Sequence, residues 1–183
     1  MGGVRVSITV RYSGRLRDRQ QMQDFKEEFE DIARIQRWPH DLLNGEVQAP
    51  RRWSAKQRNQ GAPVQVMAPP IYLEGIKIIV HPQTDPLWLA FDSHGRLTQL
   101  TYVPLDQYSK EKPGQVSRKL EFARQTQASI QTLLAGPETH LTVCRLLALA
   151  KSRYVPDLQV DDESGYWENR DEAALRRLME MAR

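Results

Sequence analysis

Ile76-Lys77-Ile78-Ile79-Val80-His81-Pro82-Gln83-Thr84-Asp85-Pro86-Leu87-Trp88-Leu89-Ala90-Phe91-Asp92-Ser93-His94-Gly95 is a hydrophobic alternation broken twice by turn residues. Ile76, Ile78 and Val80 alternate with Lys77, Ile79 and His81, and Leu87, Leu89 and Phe91 with Trp88, Ala90 and Asp92. That period of two is the mark of half-buried strands. Gly95 can take the positive φ that closes the second turn. Leu97 to Val103 reads as a third strand, so the stretch predicts an antiparallel meander. A sheet of this kind needs helices on one face, and the flanking sequence offers them.

Upstream, Val4, Val6, Ile8 and Val10 alternate with polar residues and predict another strand. Met22, Phe25, Phe29, Ile32 and Ala33 then recur at helical spacing, and Trp38-Pro39 closes that helix. Downstream, Leu120, Ala123, Ile130, Leu133 and Leu134 read as one helix ending at Gly136. Pro137 opens the next, over 137–154, whose Leu141, Val143, Leu146, Leu147 and Leu149 make it apolar nearly all round and therefore central. Asn169 with Glu172 resembles a capping box before a last helix that turns Leu175, Leu178 and Met179 inward. The expectation is a single α+β domain over 1–183: the N-terminal strand and a three-stranded meander packed on one face by about four helices.

A hydrophobic fraction of 40% and a charged fraction of 27% fit a globular chain and exclude a disordered one. The richest apolar run, Leu141 to Ala150, is interrupted by Arg145 and is too short to span a bilayer. The first residues lack the apolar core of a signal peptide, and Val6 stands where a myristoylation motif needs Ser or Thr. Cys144 is the single cysteine, which fits a reducing cytoplasm. Residues 157–183 carry a net charge of −4 against +7 for the preceding 156 residues, an acidic segment on a basic body.

Within that segment, Asp161-Asp162-Glu163-Ser164-Gly165-Tyr166-Trp167-Glu168 crowds four carboxylates and two large aromatics between two helices. A solvated connector has no need of Tyr166 and Trp167, and a core element has no use for so many acids. Asp161, Asp162, Glu163, Tyr166, Trp167 and Glu168 are therefore read as a binding surface for a protein partner or for self-association. The acids do not follow EF-hand spacing.

Two other readings come from a different chemistry. His81 and Asp85 flank the Pro-rich connection and could ligate a divalent metal, joined by the 161–163 carboxylates, in a hydrolase-like site. Asp92 and His94 form a second pair, about 20 Å away along a strand rising roughly 3.3 Å per residue, so the two pairs do not converge. Arg51, Arg52, Lys56 and Arg58 around Trp53 supply phosphate contacts and one stacking platform, the ingredients of single-strand nucleic-acid binding, on a flexible loop over 48–63. His140 and Cys144 share a helical face, but a cysteine among leucines in mid-helix reads as an inert thiol. Phosphate loops, dinucleotide fingerprints and paired-cysteine zinc motifs are absent from the sequence, so no catalytic residue is assigned. No cofactor is assigned either, beyond the divalent metal of the hydrolase reading.

Tyr154-Val155-Pro156-Asp157-Leu158-Gln159-Val160-Asp161-Asp162-Glu163-Ser164-Gly165-Tyr166-Trp167-Glu168 resembles the ending of a group of short bacterial proteins with no assigned activity. That group also has a strand ending in His-Pro, as at His81-Pro82, and a turn like Phe91-Asp92-Ser93-His94-Gly95-Arg96-Leu97. The likeness spans the C-terminal two-thirds of the chain. It implies a bacterial, soluble protein and carries over no catalytic residue.

Overall fold

In the computed structural model, residues 7–47, 52–53, 65–66, 71–104 and 120–182 are described. Strands β5 (Ile71–Ile78) and β6 (Leu87–Phe91) pair antiparallel, with Ile76 opposite Leu89 and Ile78 opposite Leu87. These four side chains are fully buried, as the alternation requires. On the other face Lys77 lies opposite Trp88 and carries its ammonium 5.6 Å from the indole centroid. Gly75 is needed here: its φ is +142°, and a Cβ would collide with the Leu89 carbonyl oxygen.

A strand without a clear signature, β2 (His40–Val47), pairs with β5 along its whole length and completes the order β2-β5-β6. It is an edge strand whose Leu42 and Asn44 are exposed, so its sequence shows little alternation. The segment after the Asp92–Gly95 turn only begins to follow β6, with Leu97 opposite Phe91 and the Thr98 amide donating to the Ala90 carbonyl at 2.8 Å. It then leaves as β7 (Gln99–Pro104) to pair with β8 (Leu120–Gln125). The expected third strand thus belongs to a separate hairpin rather than to one continuous meander.

The helix read from Leu120, Ala123, Ile130, Leu133 and Leu134 is instead β8 and β9 (Ala128–Gln131). Ala128, Ile130 and Thr132 are buried while Gln131 is exposed, a period of two, and pairing with β1 (Thr9–Ser13) decides the ambiguity. Strand β1 is the middle of a second sheet ordered β10-β1-β9, where β10 (Gln159–Asp162) runs into the acidic segment read as a binding surface. A two-residue pair, β3 (Arg52–Trp53) with β4 (Gln65–Val66), is all that is described of the basic loop.

Tyr12 couples the two larger sheets. Its buried hydroxyl donates to the Trp88 carbonyl at 2.9 Å and accepts from the Trp88 amide at 3.0 Å. Helix α1 (Met22–Ile35) turns Met22, Phe25, Phe29 and Ala33 into the core, where the Phe25 ring meets Phe91 and Tyr154 edge-on. Helix α2 (Pro137–Arg153) sends Val143, Leu146, Leu147 and Ala150 into this main core. Its opposite side sends Leu141 and Cys144 into a smaller cluster with Ile8, Leu133, Tyr166, Leu175 and Met179. Service to two clusters explains why α2 is apolar on nearly every side. After a short α3 (Tyr166–Asn169), helix α4 (Glu172–Met181) is capped by Asp171, whose carboxylate accepts from the Ala174 amide at 2.9 Å. Asn169 supports that cap by accepting from the Asp171 amide at 2.7 Å, so the cap lies two residues beyond the expected one. The fold is α+β. Among the described residues, no helix is long and apolar enough to cross a membrane.

Candidate functional site

The site assembles where β10 runs into α3 beneath α2. Strand alternation splits the neighbouring acids: Asp161 faces out and Asp162 faces in, opposite Val10 of β1. The chain then turns through Asp162–Gly165, with the Gly165 amide donating to the Asp162 carbonyl at 2.9 Å and Gly165 at φ +73°. On α2, His140 and Cys144 are one turn apart and both point at this turn. His140 and the Asp162 side chain have no solvent exposure.

Asp162 is the hub. Its Oδ2 accepts from His140 Nε2 at 3.1 Å, from Ser164 Oγ at 2.9 Å and from the Trp167 amide at 2.9 Å. Its Oδ1 accepts from the Ser164 amide at 2.9 Å and faces Ser164 Oγ at 2.8 Å. On the far side of the imidazole, Nδ1 lies 2.8 Å from Thr132 Oγ1, which is also 3.4 Å from the Ile8 carbonyl oxygen. Burial alone would raise the Asp162 carboxyl, but bonds from His140 and Ser164 outweigh it and bring it down to about 2. The carboxylate is therefore ionised at neutral pH and fully satisfied.

The cluster is not the relay of a hydrolytic triad. There the serine and the carboxylate occupy different ring nitrogens of the histidine. Here Ser164 and Asp162 share Nε2, and Ser164 Oγ donates to the carboxylate and accepts from the Tyr166 amide at 3.2 Å. The Cys144 thiol is pushed up to about 12, chiefly by burial and then by the charge of Asp162, so it is no nucleophile at neutral pH. The same atoms have another property. Among the described residues, His140, Cys144 and Asp162 are the one set of three metal-competent side chains whose donor atoms lie within 4.8 Å of one another.

The remaining acids face solvent. Glu163 receives Arg11 Nη2 at 2.7 Å and the Thr9 amide at 2.8 Å, and these bonds hold its carboxyl below the usual range despite partial burial. Asp161 stands 3.6 Å from the same guanidinium with most of its side chain exposed. Trp167 is half-buried, with the Arg170 guanidinium 4.5 Å from its ring centroid, and Glu168 is exposed beside it. Tyr166 is buried, its ring edge-on to His140 at 6.1 Å. Of the six residues read as one surface, Asp162 and Tyr166 thus point inward, while Asp161, Glu163, Glu168 and part of Trp167 point outward.

His81 and Asp85 lie in the β5–β6 connection, remote in topology from β10. His81 Nδ1 accepts from the Gln83 amide at 3.1 Å, and Thr84 Oγ1 donates to the His81 carbonyl at 2.9 Å. Neither His81 nor Asp85 belongs to a three-ligand group among the described residues. Asp85 does border an open cleft of about 820 Å³, with Thr84, Gln131 and Leu133. Asp92 closes its own turn, accepting from the His94 and Arg96 amides at 2.8 and 3.0 Å and from Arg96 Nε at 2.9 Å. Arg51, Lys56 and Arg58 lie outside the described residues, and Arg52 and Trp53 are described only as β3.

Sequence reasoning missed Thr132 and Ser164 and placed Asp162 outside. The local pattern Gln159-Val160-Asp161-Asp162 carries no alternation, and the inward phase of Asp162 is set by pairing with β1. Compared with protein-family models, with curated proteins and with solved structures, the chain matches none of them.

Proposed function

We propose that this chain is a non-enzymatic binding module of the bacterial cytoplasm that docks a basic protein surface, or a second copy of itself, on the acidic-aromatic turn. The observation that carries this reading is the division of labour within residues 161–168. The inward half, Asp162 and Tyr166, locks the turn to α2 and β1, so the outward half, Asp161, Trp167 and Glu168, is held in place before any partner arrives. A surface ordered in advance loses less entropy on association. Tryptophan with exposed charge beside it is the usual make-up of an interface anchor. The groups with reactive chemistry are buried, with His140 and Asp162 satisfied by each other and their neighbours and Cys144 an enclosed thiol, which also favours binding over catalysis.

The hydrolase reading on His81 and Asp85 has the nearby cleft in its favour but gathers no third ligand among the described residues. The nucleic-acid reading rests on a loop that is mostly outside the described residues.

The test uses the full chain in bacterial cells with a photo-crosslinking residue at position 168, alongside sedimentation of the purified protein. A discrete adduct or a concentration-dependent dimer is expected, lost in Trp167→Ala and in Asp161→Lys. The charge reversal touches an exposed side chain and leaves folding intact, so it separates docking from stability. A monomer that yields no discrete adduct would overturn the reading.

A further inference from the structure

We propose that His140 Nε2, Cys144 Sγ and the Asp162 carboxylate form a buried site for one zinc ion, with Ser164 Oγ as the fourth donor. This goes beyond the docking surface and rests on different atoms. A tetrahedral zinc ion binds imidazole and carboxylate at about 2.0–2.1 Å, which sets ligand-to-ligand edges of roughly 3.3 Å. His140 Nε2, Asp162 Oδ2 and Ser164 Oγ already form a triangle with edges of 3.1, 3.1 and 2.9 Å. Cys144 Sγ lies within 4.8 Å of the histidine and aspartate donors, so closure onto one ion takes a side-chain adjustment of about 1 Å, given an N-to-S edge of roughly 3.6 Å. Imidazole, thiolate and carboxylate together select zinc over the hard cations, which prefer all-oxygen shells.

The surroundings suit an ion as well as the donors do. A metal-bound histidine donates its other N–H to a fixed acceptor, and Thr132 Oγ1 sits 2.8 Å from Nδ1. Thr132 can serve because its own hydroxyl has a second outlet in the Ile8 carbonyl at 3.4 Å. Binding moves the imidazole proton from Nε2 to Nδ1, turns the Thr132 hydroxyl toward Ile8 and releases the Cys144 thiol proton to solvent. The amides of Ser164 and Trp167 continue to hold the carboxylate in place. Three segments meet at the ion: α2, the end of β10 and the turn that follows it.

The experiment refolds the full chain with EDTA and a reductant, exchanges both away, and adds Co²⁺ and then Zn²⁺. One cobalt ion per chain is expected, with a thiolate-to-cobalt charge-transfer band and the strong visible absorption of four-coordinate geometry, displaced by zinc. Zinc in excess should raise the melting temperature by a few degrees. Cys144→Ala, which removes only the sulfur, should lose the thiolate band and weaken zinc binding by more than ~100-fold, since even outer partners cost about 10–100-fold. Thr132→Val keeps every ligand and should weaken binding within that ~10–100-fold range. Absence of a thiolate band and of any zinc-dependent shift in the wild-type chain overturns the site. So does an ion that binds Cys144→Ala as tightly as wild type. Neither result bears on crosslinking at position 168, so this site and the docking surface fail separately.

Discussion

Replacing Asp162 by alanine, measured in EDTA so that only the hydrogen-bonded network counts, removes the acceptor for His140 Nε2, the Ser164 hydroxyl and the amides of Ser164 and Trp167. Ser164 is partly exposed and can turn to water. His140 is fully buried and cannot. The His140 bond runs to a charged acceptor and is worth about 1.5–3 kcal/mol, and the half-buried Trp167 amide left without an acceptor adds about 1–3 kcal/mol. The expected loss is therefore about 3–5 kcal/mol. A domain of 183 residues moves roughly 2–4 °C per kcal/mol, so the melting temperature should fall by roughly 6–20 °C. Asp162→Asn keeps one carbonyl oxygen for the turn amides and should cost about 1–3 kcal/mol, because His140 can shift its proton to Nδ1 and donate to Thr132. Urea denaturation with an unchanged slope gives both values. If Asp162→Ala stays within about 1 kcal/mol of wild type, the hub role assigned to this carboxylate is wrong.

Two further outcomes follow from sites elsewhere. Hydrogen bonds from Arg96 and His94 overcome burial and hold the Asp92 carboxyl below its ordinary 3.8. Its stabilisation is present above that ordinary value and is lost as pH falls through the folded one. The advantage of wild type over Asp92→Asn in urea should accordingly be constant near neutrality and shrink toward zero in acid. Tyr12→Phe strips the Trp88 amide and carbonyl of their shared partner and should cost about 1–3 kcal/mol, read by the same denaturation series; a neutral result would show that the two sheets do not depend on that hydroxyl.

Helices α1 and α2 were legible in the sequence because fourteen and seventeen residues give a helical period time to show. Leu120 to Leu134 was not, since Ile130, Leu133 and Leu134 satisfy both a helical spacing and the end of a short strand. Only the open edge of β1 chooses between them. For β10 the four residues Gln159 to Asp162 contain one β-branched side chain, so pairing with β1 creates the strand and local preference does not. The six-residue binding surface was found as a segment but not as a structure. Composition identifies charge, whereas the inward turn of Asp162 depends on the phase of a strand whose existence is tertiary. The partners of Asp162 come from α2 and from the next turn, a convergence that spacing along the chain does not encode.

Strand β1 sits between β9 and β10, so Val10 finds its two neighbours at Ile130 and Asp162. During synthesis this early strand has no partner until most of the chain has emerged. At about 5–20 residues per second the interval between Val10 and Asp162 lasts roughly 8–30 s. Ile130 arrives earlier and can cover one edge, but until Asp162 follows the other edge of β1 stays open beside Ile8, Val10 and Tyr12, all buried in the finished protein. Completion of this sheet therefore waits on the acidic stretch 159–162, rather than on collapse of the β5–β6 hairpin.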